Sequence, residues 1–187
     1  MGLMPIATLA LASGACRVPG GVDGGPPPAI CSAPTHPDVD GAPPEMPTLV
    51  VVVGTENSAR DQVATAWHDG DHVPLVAGGQ GGFMIRPSFD VTAPAALSED
   101  GAHKACLGVT MLAGAPATIM SLMQGVLATR VAGGAATYHV PALLGLLSYD
   151  PHVERASIPL DFYVNTQDPM NIGYAAMTVV PDSALAP

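Results

Sequence analysis

The chain contains 187 residues, enough for one domain with an added tail, because single domains usually have about 100–200 residues. Hydrophobic residues make up 48% and charged residues only 12%, about half of the usual charged share, so the chain is not disordered throughout. The net charge is −10, with 6 basic and 16 acidic residues and no cluster of Lys or Arg. This composition excludes a basic surface for nucleic acid and disfavours binding to an anionic membrane surface.

Residues 1–16 are predicted to be a signal peptide that ends in a lipobox. The apolar run at residues 4–11 is followed by small residues, and its length suits a signal peptide core; a membrane span needs about 20 residues. The first three residues lack the positive side chain that usually precedes such a core. We therefore expect export from the cytosol, with the leader removed.

Cys16 directly follows the small residues Gly14 and Ala15, and this arrangement resembles the lipobox of bacterial lipoproteins. The resemblance implies that the Cys16 thiol is acylated and becomes the new N-terminus. Ser13 stands where that family prefers Leu. The alternative is ordinary cleavage after Ala12, which leaves Cys16 as a plain thiol. An acyl chain holds a domain at a membrane without a spanning helix.

The two other cysteines, Cys31 and Cys106, leave two alternatives open. In an oxidising compartment they form a disulfide that ties the tail to the domain. Otherwise Cys106 is a buried free thiol, since cysteine behaves as a small hydrophobic residue. No C-x-x-C pair and no Cys/His spacing typical of zinc sites occurs in the sequence.

Residues 17–47 are predicted to be a linker, because their many prolines and glycines disfavour regular structure. Residues 48–187 are predicted to form one antiparallel, immunoglobulin-like β-sandwich, all-β in class. In chain order, the predicted strands cover residues 48–54, 83–91 (with Pro87 as an edge or bulge position), 104–112, 138–140 and 143–149, and a final hairpin pairs residues 158–165 with 172–180. Residues 117–132 fit either a short helix or two strands broken at Gln124-Gly125.

The segment at residues 69–82, DGDHVPLVAGGQGG, resembles a DGDxxPLxxGxQGG-type motif of uncharacterised exported bacterial lipoproteins. The resemblance implies an extracytoplasmic β domain and implies no activity. The residues themselves indicate a turn at Asp69-Gly70 and then a glycine-rich loop in which positive φ or close backbone approach is permitted. We interpret the motif as one that shapes a loop, formed by Gly78, Gly79, Gln80, Gly81 and Gly82.

One segment offers candidate metal ligands in close spacing: His68, Asp69, Asp71 and His72. Carboxylates suit Ca²⁺ and imidazoles suit Zn²⁺ or Cu²⁺. The more favoured interpretation is a solvated turn, since the spacing fits no EF-hand loop. Nine methionines raise the idea of Cu(I), but they are scattered, and core packing explains them better. His103, His139 and His152 are isolated and are interpreted as surface or satisfied residues.

No catalytic residue and no cofactor is predicted, because the sequence contains no G-x-S-x-G, no H-E-x-x-H and no P-loop. We expect a non-enzymatic binding or structural module of the bacterial cell envelope, lipid-anchored in the periplasm or at the outer membrane, or secreted. Its partner is expected to be a protein or another envelope component of unknown identity. It contacts the membrane through the lipid anchor alone. The alternative function is metal binding, of copper or calcium.

Overall fold

The computed structural model describes residue 31 and residues 44–57, 62–78, 81–117, 121–133, 136–168 and 171–186. Within these residues the protein is all-β, with two short 3-10 helices and no α-helix. The 3-10 helices are Pro151–Val153 and Ser183–Leu185. The strands are β1 (Val50–Asn57), β2 (Gln62–Ala66), β3 (Asp71–Pro74), β4 (Val76–Ala77), β5 (Phe83–Ile85), β6 (Ser88–Ala93), β7 (Lys104–Ala113), β8 (Ser121–Arg130), β9 (Ala136–Val140), β10 (Gly145–Ser148), β11 (Ile158–Asn165) and β12 (Ile172–Asp182).

The strands form a large sheet and a small one. The large sheet has nine strands in the order β2-β1-β6-β9-β8-β7-β11-β12-β3, and the small sheet has the order β10-β5-β4. Neighbouring strands are antiparallel, except that β12 pairs with β3 in parallel. The expected C-terminal hairpin is present, since β11 and β12 pair from Ile158↔Val179 to Asn165↔Ile172.

The nine-stranded sheet curls until its two halves face each other. Phe89 on β6 and Phe162 on β11 lie four strands apart in the sheet, yet their ring centroids are 5.4 Å apart in an edge-to-face contact. Just before β1, Leu49 forms a parallel bridge with Gly173 at the start of β12. The core therefore lies inside the curl.

Alternation along the strands supplies this core. On β7, Ala105, Leu107, Val109 and Met111 are all buried at every second position, as a strand with one face on a core requires. Further fully buried side chains on the other strands include Val91, Tyr138, Val140, Leu160 and Val164. Burial of apolar surface of this kind is the main term that favours folding.

The predicted single strand at residues 83–91 is wrong. The chain forms β5 and β6 instead, which belong to different sheets, and the break falls at Pro87. Proline has no backbone N–H to donate to a ladder, and its carbonyl accepts from Leu143 just before β10. In the ambiguous segment 117–132, β8 runs without a break through Gln124-Gly125, which pair with Val109 and Gly108.

The structure contains a disulfide between Cys31 and Cys106, one of the two alternatives that the sequence left open. Cys106 lies on β7, opposite Leu127 of β8. The backbone N–H of Cys31 donates to the carbonyl of Gly125, 3.2 Å away. The bridge therefore attaches residue 31 to the β7–β8 pair. The predicted leader, residues 1–16 with Cys16, lies outside the described residues, as does most of the predicted linker.

Candidate functional site

A buried histidine that is held between two carboxylates lies where β1, β6 and β9 run side by side. His139 on β9 pairs in register with Asp90 on β6, and its side chain is only 2% exposed. Its Nδ1 lies 2.8 Å from Asp90 Oδ1. An ionised carboxylate can only accept, so Nδ1 carries the proton and donates it to Asp90. The sequence predicts a surface or satisfied residue at His139; the structure places this side chain inside the fold with one ring nitrogen bonded.

Asp90 also fixes the β1–β2 hairpin. Its Oδ2 accepts from the backbone N–H of Val63 on β2 at 3.1 Å. This contact depends on Gly54, because a Cβ there would lie 2.1 Å from the carbonyl oxygen of Thr65 and 2.5 Å from Val63 Cγ1. Real Cβ atoms do not approach other atoms so closely, so only glycine lets β2 lie this close to β1. The hairpin therefore packs close enough for Val63 to reach Asp90.

Glu56 completes the cluster from a β-bulge on β1, where the register shifts between Thr55 and Glu56. Its Oε2 accepts from the backbone N–H of Ala142 at 3.0 Å, and its Oε1 lies 3.8 Å from His139 Nε2. Nε2 is buried and has no hydrogen-bond partner among the described residues. With the proton on Nδ1, a neutral ring presents the Nε2 lone pair to a carboxylate oxygen, so two acceptors face each other.

A second polar cluster, centred on Glu99, fastens the loop between β6 and β7. The Tyr138 hydroxyl donates to Glu99 Oε1 at 2.6 Å, and Arg130 and His103 contact the same carboxylate at 3.2 and 3.1 Å. The hydrogen bond from Tyr138 is the main cause that holds the pKa of Glu99 below its ordinary value. Burial, followed by the bond to Glu99, raises the pKa of Tyr138. All these donors serve one loop, so we assign the cluster a structural role.

The two aspartates among the candidate metal ligands accept hydrogen bonds from nearby backbone N–H groups. Asp69 Oδ1 accepts from the backbone N–H of Thr178 at 2.8 Å, which fastens the Asp69-Gly70 turn to β12. Asp71 Oδ2 accepts from the backbone N–H of His68 at 2.8 Å, and the His68 ring lies 3.4 Å from the same oxygen. One carboxylate thus bonds the turn to β12 and the other bonds the backbone of the turn itself.

His72 points away from this turn, because it follows Asp71 in strand β3 and successive strand residues face opposite sides. Its Nδ1 lies 3.4 Å from Asp182 Oδ2 on β12. The pKa of Asp182 is lowered mainly by a hydrogen bond from the backbone N–H of Ala184. Within the described ranges, no group of three or more His, Cys, Asp or Glu side chains is placed to hold a metal ion. The four candidate ligands, His68, Asp69, Asp71 and His72, therefore do not come together as one such group.

The glycine-rich loop connects β4 to β5. Gly79 and Gln80 lie outside the described residues. The loop is closed by hydrogen bonds from the Gly78 N–H to the Gly82 carbonyl and from the Gly81 N–H to the Gly78 carbonyl, at 2.7 and 2.9 Å. Gly81 has a φ of +83°, which favours glycine. The structure thus agrees with a loop-shaping role for Gly78, Gly81 and Gly82.

An apolar strip, which we define as Met84, Leu144, Leu146 and Tyr149, lies on strands β5 and β10 of the small sheet and at the two ends of β10. Met84 and Leu146 are cross-strand neighbours, and Leu144 and Tyr149 are 54% and 60% exposed. A Cβ at Gly82 would lie 2.6 Å from Leu146 Cδ1 and 3.4 Å from Tyr149 Cε1. The missing side chain at Gly82 therefore leaves room for the strip to cover the loop.

Comparisons with known proteins add no family to this description. Neither the family models nor the curated proteins gave a match to the chain.

In the part of the chain that the structure describes, no helix combines the length and the apolar character that crossing a membrane requires.

Proposed function

We propose that the protein is an exported lipoprotein of a bacterial cell envelope that serves as a non-enzymatic binding or structural module. The disulfide between Cys31 and Cys106 carries this proposal. Disulfides form and persist in oxidising compartments and are rare in the cytosol. The bridge also attaches residue 31, which follows the predicted leader, to the folded domain. Acylation of Cys16 supplies the anchor.

The finer fold assignment is part of the same proposal. We infer that the curled sheet is an immunoglobulin-like sandwich, with β2, β1, β6 and β9 in one layer and β7, β11, β12 and β3 in the other. The edge-to-face contact of Phe89 and Phe162 supports two facing layers. The link between the layers is narrow, since β8 pairs with β9 only at Thr129 and Arg130. An experimental structure with two sheets about 10 Å apart supports the assignment, and a uniformly curved sheet contradicts it.

The binding surface that we propose is the apolar strip. Large contiguous patches of exposed apolar side chains mark sites of protein interaction. Tyr149 and Met84 are of the residue types enriched at such sites. The expected occupant is an apolar patch on a protein of the envelope. A net charge of −10 disfavours nucleic acid as the partner.

Export and anchoring are tested by fractionation of cells that produce the full chain. The wild type is expected in the membrane fraction, and Cys16→Ala in the soluble fraction outside the cytosol. Cys31→Ala is the matched control, because it removes a cysteine and the bridge but leaves the lipobox. It is expected to stay with the membrane. Cytosolic wild type, or identical distributions of wild type and Cys16→Ala, contradicts the proposal.

Binding is tested by photo-crosslinking in intact cells, with the reactive amino acid placed at Tyr149. The control position is His68, which is 77% exposed and is not one of the residues of the apolar strip. We expect one adduct of discrete mass from Tyr149 that is absent from His68, and loss of that adduct when Leu146→Asp is added. Equal adducts from both positions, or none from Tyr149, contradict a partner at the strip.

A further inference from the structure

The cluster of Glu56, His139 and Asp90 has no role in the proposed binding surface, and its geometry is incomplete. Its imidazole is nine-tenths buried or more, one ring nitrogen is bonded, and the other faces a carboxylate oxygen at 3.8 Å. A carboxylate is a hydrogen-bond acceptor, so a bare Nε2 gains nothing from Glu56. A second proton on the ring changes this contact from a repulsion into a charge-assisted hydrogen bond.

Among the described residues, Glu56 and Asp90 are the charged side chains that contact the His139 ring. Strand β2 and residues 141–144 carry no titratable side chain. They contribute backbone N–H groups to the cluster, from Val63 and Ala142. On β8, Thr129 pairs with His139, and the neighbouring Arg130 contacts Glu99 instead. The next residue in this cross-strand row is the cationic Lys104 on β7, which pairs with Thr129.

We propose that Glu56, His139 and Asp90 form a proton-operated clasp that fastens the β1 bulge and the segment after β9 to the centre of the sheet. In the closed state, His139 takes a second proton from solvent and donates through Nε2 to Glu56 Oε1, while Nδ1 keeps its bond to Asp90. In the open state, Nε2 has lost that proton, and Glu56 is held by the Ala142 N–H alone. Closure needs an approach of about 1 Å, from 3.8 Å to the usual charge-assisted distance.

The direction of the pH dependence follows from the proton that the bond requires. The coupling between Glu56 and His139 is present while the ring holds two protons, and it is lost when a rise in pH removes the proton from Nε2. The β1–β2 hairpin and residues 141–144, which lead into strand β10 of the small sheet, are then held less firmly at alkaline pH. The clasp does not depend on export or on the apolar strip.

The test is a double-mutant cycle with Glu56→Gln, His139→Gln and the double variant, measured by urea unfolding at pH 5.5 and pH 8.0. The coupling is expressed as a factor in the unfolding equilibrium constant. We expect a factor of about ten at pH 5.5, as for a hydrogen bond to a charged group, and at least threefold less at pH 8.0. A smaller decrease, or an increase, overturns the proposal.

If His139→Gln does not fold, the single variant Glu56→Gln still tests the proposal. The advantage of the wild type over Glu56→Gln is then compared at the two pH values, and the same threefold decrease is expected. The matched control is Asp150→Asn, because its partner His152 is 84% exposed and lies 3.6 Å away. An exposed pair contributes little. If the decrease for Glu56→Gln does not exceed that of the control, the clasp is excluded.

Discussion

Removal of the disulfide is expected to cost a large part of the stability of the domain. Cys31 and Cys106 are 75 residues apart in sequence. In the chain-entropy model, opening a loop of that length returns entropy to the unfolded chain worth about 4 kcal/mol at 25 °C. A domain is commonly stable by only about 5–15 kcal/mol, so this is a major contribution. The bond from the Cys31 N–H to Gly125 is expected to be lost as well, since nothing else described holds residue 31 in place.

Urea unfolding of Cys31→Ala, Cys106→Ala and the double variant measures this effect. We expect each to lower the free energy of unfolding by about 3–4 kcal/mol and the double variant to be no worse than the singles, because the first substitution already opens the loop. Cys16→Ala is the control and leaves stability unchanged. If the variants lie within about 1 kcal/mol of the wild type, the bridge does not constrain the unfolded chain, and the entropic reasoning is refuted.

Three further substitutions test the packing and the Glu99 cluster. Gly54→Ala is expected to cost at least about 2 kcal/mol in urea unfolding, because its Cβ meets backbone at 2.1 Å, whereas Gly101→Ala, with open space around it, changes stability by less than about 0.5 kcal/mol. Phe162→Ala, in the core, is expected to cost about 3–5 kcal/mol by thermal or urea unfolding; a loss below 1 kcal/mol speaks against the facing halves. Glu99→Gln destabilises at neutral pH. Because the folded-state pKa of Glu99 is lowered, that deficit shrinks as the pH falls below the ordinary carboxyl value of 4.5, and a deficit that grows instead contradicts the Tyr138 bond.

Local chemistry made several strands predictable. The strand predicted at residues 104–112 corresponds to β7, and the hairpin predicted around residues 158–180 corresponds to β11 and β12. The limit of such reasoning is visible at Pro87. The alternation continues across it from Phe83 to Val91, but the missing N–H ends one strand, and the next joins another sheet. Sheet membership depends on long-range pairing, which alternation does not encode.

The histidine cluster could not be predicted from the sequence, because it also depends on long-range strand pairing. Glu56, Asp90 and His139 lie on three strands, far apart in the chain, and they meet only through the register Asp90↔His139 and the bulge at Glu56. One signal was present, since His139 stands between Tyr138 and Val140 in a strand-like run. That pattern does not tell which partner lies opposite. By contrast, the sequence already favoured a turn over a metal set at residues 68–72, and strand β3 sends the adjacent Asp71 and His72 to opposite sides.

Intact-mass spectrometry of the protein isolated from its native membranes tests the central claim most directly. The account predicts a chain that begins at Cys16, is heavier by the mass of its acyl groups, and contains Cys31 and Cys106 as a disulfide that only a reductant opens. An uncut chain with three free thiols contradicts it.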